Sequence, residues 1–328
     1  MRGNSPIPLS YAPRPVRRHR VAQFVILALL LAALAVLLTA GVWWAMPLSA
    51  SSPRSSLAPA SPVIPMAAPL TVATPIKPPD AFTVVMIDAK TERELGKFPY
   101  DRSIYARAIE HAAKLGARGV VLKLFIDRPK TAAGDKALAD AMRKTKVILQ
   151  ARLNDAEPED NPLPERFQLD LEASANHPIS AREGWMPLPA FSAAAHDIGF
   201  SEYTDLRAMP VVERFRDKYV KSLFTCCLEL ATGKRAQIVP GKSMKLDNKS
   251  LSLNDRDEAP VKLPESDALQ YTPLVDFLNG TGGQDVKDKL VILAYDGDRQ
   301  PPVETPIGMI SGHRLFCYFL FSLYEKLR

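Results

Sequence analysis

Cysteine is scarce in this 328-residue chain: Cys226, Cys227 and Cys317 are the whole complement. They show neither a C-x-x-C spacing nor histidine partners in register, so a zinc site has no support. A disulfide framework is excluded as well, because two of the three thiols are adjacent. Cys226 and Cys227 fall in the apolar run from Ser222 to Ala231 and read as small buried hydrophobes. A bridge from one of them to Cys317 is the other reading and would leave one thiol over. Catalytic signatures are also missing. The five histidines are scattered, and no H-E-x-x-H, G-x-S-x-G, P-loop or G-x-G-x-x-G pattern occurs. The glycine-rich stretch Gly280 to Gly283 precedes a polar turn instead of joining a strand to a helix, which makes it a loop and not a phosphate cradle. Without convergent groups, neither enzymatic activity nor a cofactor is expected.

A basic field is absent from most of the chain. Five arginines crowd the first twenty residues, which hold no acid, and the remainder carries 37 basic against 36 acidic side chains. Such a balance offers nothing to attract phosphates, and no aromatic residues interleave with basic runs, so nucleic acid is excluded as a partner. No internal repeat of 20 to 50 residues is visible.

What is present begins with one long apolar run. Val21 to Met46 holds 26 residues without a charge, which at about 1.5 Å per residue exceeds the hydrocarbon core of roughly 30 Å. Arg14, Arg17, Arg18 and Arg20 precede it, and Trp43 and Trp44 lie near its far end. Basic flank and aromatic belt predict a single transmembrane helix over 21–46, with residues 1–20 as a cytoplasmic tail. A cleaved signal peptide is the competing reading, but its apolar region runs only about 7–15 residues. No other segment reaches spanning length. Residues 47–80 contain nine prolines among alanines and serines, a composition that resists helix and sheet and makes a semi-rigid stalk.

From residue 81 to 328 strand-like and helix-like patterns alternate, which predicts one α/β domain. Phe82 to Asp88 reads as a buried first strand, Asp101 to Leu115 as an amphipathic helix ended by Gly116, and Arg118 to Phe125 as a second strand. Asp135 to Lys144 continues as a helix and Lys146 to Leu153 as a third strand, so two successive βαβ crossovers are expected. Asn154 to Gly184 is an acidic, proline-bearing excursion. Pro189 to His196 reads as a short helix, Met209 to Phe215 as a strand, and Tyr219 to Ala231 as a helix. Lys242 to Asn254 forms a hairpin about Asp247 and Asn248, Lys289 to Tyr295 is the last buried strand, and Gly308 to Leu327 leads into a terminal helix. The expected fold is a mixed, largely parallel sheet with helices on both faces, preceded by the transmembrane helix and the stalk.

The wording of these pieces resembles the type-two CHASE domain, an extracellular sensory module. Ile87 to Phe125 (IDAKTERELGKFPYDRSIYARAIEHAAKLGARGVVLKLF) carries most of the likeness, and GDKALADAMRKTKVIL, PLPAFSAAAHDIGFSEY, KDKLVILAYDGDR and TPIGMISGHRL follow in order. Two positions depart: Lys123 stands where the family's second strand carries an aspartate, and Phe98 and Tyr100 replace tryptophans around Pro99. The resemblance implies an inner-membrane protein of bacterial type with its domain in the periplasm. Family members continue into kinase or cyclase modules, whereas here no such module precedes Arg328, so the expected output lies with a separate protein partner.

Ligands of open α/β sheets collect at the carboxyl ends of strands, which nominates Asp88, Arg102, Lys123 and Asp127 as a small-molecule site. The bland reading is an internal ion pair of Asp88 with Lys123 or Arg102. Two functions follow: a sensory or ligand-recognition domain acting in trans, or a ligand-free structural or adaptor protein of the envelope. An open polar cleft around Asp88 and Lys123 favours the first, a closed apolar space the second.

Overall fold

A computed structural model describes residues 74–154, 163–172, 183–202, 205–282 and 285–328. The basic tail, the expected transmembrane segment 21–46, residues 47–73 of the stalk and most of the acidic excursion lie outside the described residues. Among the described residues no helix is long and apolar enough to cross a membrane.

The domain opens with β1 (Phe82–Ile87), α1 (Ala89–Leu95), α2 (Arg102–Lys114) and β2 (Gly119–Leu122). Next come α3 (Ala132–Lys144), β3 (Val147–Asn154), β4 (Gln168–Leu169), β5 (Glu183–Trp185), α4 (Pro189–Ala194) and β6 (Asp197–Phe200). Three short strands follow, β7 (Ala208–Pro210), β8 (Val212–Phe215) and β9 (Lys218–Lys221), ahead of α5 (Leu223–Thr232). The last third holds β10 (Gln237–Val239), β11 (Ser243–Leu246), β12 (Lys249–Ser252), β13 (Glu258–Pro260), β14 (Thr272–Pro273) and α6 (Leu274–Asn279). It closes with β15 (Leu290–Tyr295), β16 (Val303–Thr305), β17 (Gly308–Ile310) and α7 (Gly312–Leu327).

Local chemistry sets these boundaries. Asp101, Thr131, Ser222 and Ser311 each accept a backbone N–H of the first helical turn through their side chains, capping α2, α3, α5 and α7. Asp247 takes a left-handed φ of 57° in the two-residue turn between β11 and β12, a conformation that Asn and Asp tolerate.

The central sheet runs β14-β1-β15-β2-β3, with β6 on β3. All five of these pairings are parallel, and β5 alone joins antiparallel, at the far end of β3. Side-chain alternation sorts the sheet into two cores. Val84, Met86, Val121, Ile148 and Ile292 pack with α5 and α7, where Phe224 stacks on Phe316 at 4.9 Å. Val85, Ile87, Val120, Leu122 and Leu293 pack with α2, α3, α4 and α6. Burial on both faces explains why these strands read as continuous apolar runs.

Both expected βαβ crossovers are present in the parallel sheet, with β15 inserted between β1 and β2. Three expectations are corrected. The second strand stops at Leu122, three residues early, where Lys123 turns to side-chain partners on β3 and just beyond β6. The stretch 209–221 is three strands: β8 and β9 pair through a turn with Arg216 at φ 57°, and the helix begins only at Leu223. Gly308 to Ile310 belongs to a hairpin, and the terminal helix starts at Gly312.

Helix α5 seats directly on β6 at Gly199, where an added Cβ would meet Leu223 Cα at 2.5 Å and Leu223 N at 2.6 Å. Backbone cannot yield as a flexible side chain does, so Gly199→Ala is expected to destabilise the domain by about 2 kcal/mol or more, within the overpacking range. Urea unfolding measures this, and a change below about 0.5 kcal/mol would show that helix and strand do not meet there.

Candidate functional site

At the carboxyl edge of the parallel sheet, Asp88 follows β1, Lys123 follows β2, Ser201 follows β6 and Asp296 follows β15. The four residues nominated from sequence take different partners there. Asp88, itself buried, caps α1 by accepting from Thr91 N at 2.9 Å and Thr91 Oγ1 at 2.8 Å. Arg102, on the first turn of α2, donates to the Arg128 carbonyl at 2.6 Å, pairs with Asp135 at 3.0 Å and covers the Phe191 ring. Asp127 lies half-buried at 3.9 Å from Arg128. The ion pair expected between Asp88 and Lys123 or Arg102 is therefore replaced by a helix cap and by the Arg102–Asp135 pair.

Lys123 is 6 % exposed. Its ammonium donates to Gln150 Oε1 at 2.5 Å and to Ser201 Oγ at 3.2 Å, and lies 5.0 Å from the centre of the Phe316 ring. Ser201 Oγ also donates to Gln150 Oε1 at 3.3 Å. Three strands and α7 thus converge on one cation that has no carboxylate within ion-pair distance among the described residues. Burial pushes Lys123 down to about 8, with partial opposition from Glu202 and from the thiols of Cys317 and Cys227. Burial pushes Glu202, next along from Ser201, up to about 7 against the pull of backbone hydrogen bonds and of Lys123 and Arg152. The space around Lys123 is closed, though polar.

The first turn of α7 borders this cluster. His313 Nδ1 accepts from Tyr295 N at 2.8 Å, so its proton resides on Nε2, and burial together with Lys123 holds its pKa down to about 3. Beside it, Asp296 Oδ2 accepts from Arg314 Nε at 2.9 Å and Nη2 at 2.8 Å, while Oδ1 accepts from Ser311 Oγ at 2.8 Å. Arg314 Nη1 reaches Asp267 at 3.1 Å, and Tyr318 OH donates to the same carboxylate at 2.7 Å. This network ties the end of β15 to α7 and to the segment leading into β14.

Gln150, Ser201, His313 and Arg314 also stand at the candidate site, beside the residues that strand ends nominate. Gln150 had one signal, a lone amide inside the apolar run KVILQARL. All three cysteines are free and buried, so the bridge to Cys317 is not formed. Burial raises the pKa of the Cys226 and Cys227 thiols, consistent with inert core residues. Among the described residues no group of three or more His, Cys, Asp or Glu side chains is placed to hold a metal ion.

A family model described as the CHASE2 domain matches residues 28–324. No curated protein and no solved structure shows a significant match.

Lys123 and Glu202 predict an unusual pH dependence. The folded pKa of Glu202 lies above its usual 4.5, so its contribution to stability is full below that value and is lost as pH rises through about 7. Lys123 titrates in the fold below its usual 10.5, so the unfolded chain binds more protons between about 8 and 10.5, and stability rises with pH across that window. The unfolding free energy of the parent minus that of a Lys123→Met, Glu202→Gln double variant is expected to pass through a minimum near pH 7 to 8. A flat difference in urea titrations would show both groups to be solvated in the native state.

Proposed function

The chain belongs to the CHASE2 domain family, and on that premise we propose that it is an extracytoplasmic sensory domain, anchored by its N-terminal apolar segment and acting through a separate protein partner. CHASE2 domains are extracellular sensory modules, and the match over residues 28–324 is the observation that carries the sensory role. Anchoring is supported by the uncharged run 21–46 behind a cluster of arginines.

Of the four nominated residues, Lys123 is the candidate ligand contact. Asp88 and Arg102 are committed to capping and pairing, whereas the Lys123 ammonium hydrogen-bonds to the neutral side chains of Gln150 and Ser201. A ligand that completes this arrangement is a small anion, carboxylate or phosphate, whose charge offsets a buried cation. Its entry requires α7 to move, because Phe316 covers the lysine. The same closure favours the second reading, a ligand-free adaptor of the envelope.

Thermal unfolding of the full chain in lipid nanodiscs, with succinate, citrate, glutamate or inorganic phosphate added, separates the two. Binding to the native state raises the melting temperature by mass action, by about 2.7 kcal/mol of added stability at a hundredfold excess over Kd. The sensory reading expects a shift with at least one probe, abolished by Lys123→Met in a variant that still melts cooperatively. No shift with any probe selects the adaptor. Topology is tested separately: protease added outside spheroplasts is expected to degrade residues 74–328 and to spare an epitope on the N-terminal tail, and the reverse pattern would overturn the orientation.

A further inference from the structure

The amino edge of the sheet, opposite the candidate site, carries three hollows lined mainly by basic side chains. Between the last turns of α2 and α3 lies a hollow of about 530 Å³ lined by Arg107, Lys114 and Lys144, with Glu110 as its one acid. A second hollow shares Lys144 and Thr145 with it and adds Arg143 and Lys146. A third, where β1 begins, holds Arg118, Lys234, Lys249 and Arg328 against Asp80, Asp247 and Asp288. Together the three present nine basic and four acidic side chains, although the chain beyond residue 20 is near neutral. These three hollows therefore hold an excess of five basic side chains on one edge.

Helix dipoles account for part of this, since Lys114, Arg143 and Lys144 stand in last helical turns, where cations are favoured. Lys146, at the start of β3, and Lys249, in the β11–β12 hairpin, have no such cause. Arg143 is shared with Asp140 at 2.6 Å, whereas Lys144 and Lys146 are exposed. Both ends of the folded portion meet at this edge, because Asp80 and Arg328 line the same hollow. The proline-rich segment therefore joins the domain on its basic side.

We propose that this basic amino edge docks on the anionic phospholipid headgroups of the bilayer that anchors the chain, leaving the Lys123 edge pointing away from the membrane. The proposal rests on the anchored reading given above. Each basic side chain brought to an anionic surface favours the docked state about fivefold, and the attraction decays within a Debye length.

The test uses the full chain in nanodiscs of phosphatidylcholine with or without phosphatidylglycerol, read by amide hydrogen exchange. Expected is slower exchange around residues 114–118, 143–147 and 247–249 only where phosphatidylglycerol is present, and its loss in high salt. Lys144→Glu with Lys146→Glu is expected to shift the docked-to-free ratio by more than about twentyfold and to remove the protection, with an unchanged melting temperature. Equal exchange in both lipids, or protection that survives the double reversal, overturns the proposal. A chain that does not stay with the nanodiscs overturns anchoring instead. Docking is then read by sedimentation with vesicles of the same two compositions: sedimentation with anionic vesicles alone supports it, and none with either sinks it.

Discussion

The middle strand of the central sheet is β15, formed by residues 290–295, and its two neighbours come from residues 82–87 and 119–122. β1 and β2 do not pair with each other, so each depends on β15 for its inner ladder. Six residue pairs on one side and four on the other join a late segment of the chain to two early ones, which is non-local pairing of the kind that carries a large loop-closure penalty before any contact offsets it. Arrival of β15 also builds the candidate site. Tyr295 presents its N–H to His313, Asp296 takes up Ser311 and Arg314, and α7 is thereby drawn across Lys123 with Phe316 over the ammonium. The contacts that join β15 to α7 are thus continuous with those that cover the buried lysine.

This dependence explains which features were legible from sequence. Phe82–Ile87, Val147–Asn154 and Leu290–Tyr295 announce themselves as apolar β-branched runs, and α2 and α3 as periodic segments with capping residues, because those signals are local. Strand order is not local: nothing in KLVILAY says that it inserts between β1 and β2. Helix α1 carries little sequence signal, because AKTEREL has little apolar spacing and its decisive feature is the Asp88 cap on Thr91. The same carboxylate at a strand end also reads as a ligand group, so one local rule masks another. Lys123 was visible as a charge in an apolar run, but its partners lie 27 and 78 residues onward and on α7.

Charge follows the polarity of the sheet. Parallel strands put all their amino ends on one edge and all their carboxyl ends on the other, with the helices running back between them, so each edge has its own electrostatic character. Asp88, Asp127 and Asp296 stand at or just beyond strand ends on the carboxyl side, most of them engaged by caps or by arginine. On the amino side Lys144 and Lys146 are exposed, while Lys234 pairs with Asp247 at 3.7 Å and Arg118 donates to the Ala231 carbonyl. The basic hollows of the amino edge thus face away from the buried network at the strand ends, so a charged surface brought to that edge meets cations first.

Two buried lysines show how the same residue type serves different ends. Lys221, at the end of β9, pairs with Asp197 and with Glu229 at 2.9 Å. Burial opposes its charge, but attraction from the Asp197 and Glu229 carboxylates prevails and its pKa is raised. That cation is locked, and the triad holds β9, β6 and α5 together. Lys123 is as deeply buried, yet it is offered an amide, a hydroxyl and a ring in place of a carboxylate, and its pKa moves the other way. Replacing a buried charge's solvation with neutral dipoles leaves a residual penalty that any change of local charge alters directly. A sensory element needs an equilibrium that an input is able to bias. Between the two lysines, only Lys123 combines a charge held near balance with a position under α7, the helix whose first turn ties the far end of β15 to the rest of the domain.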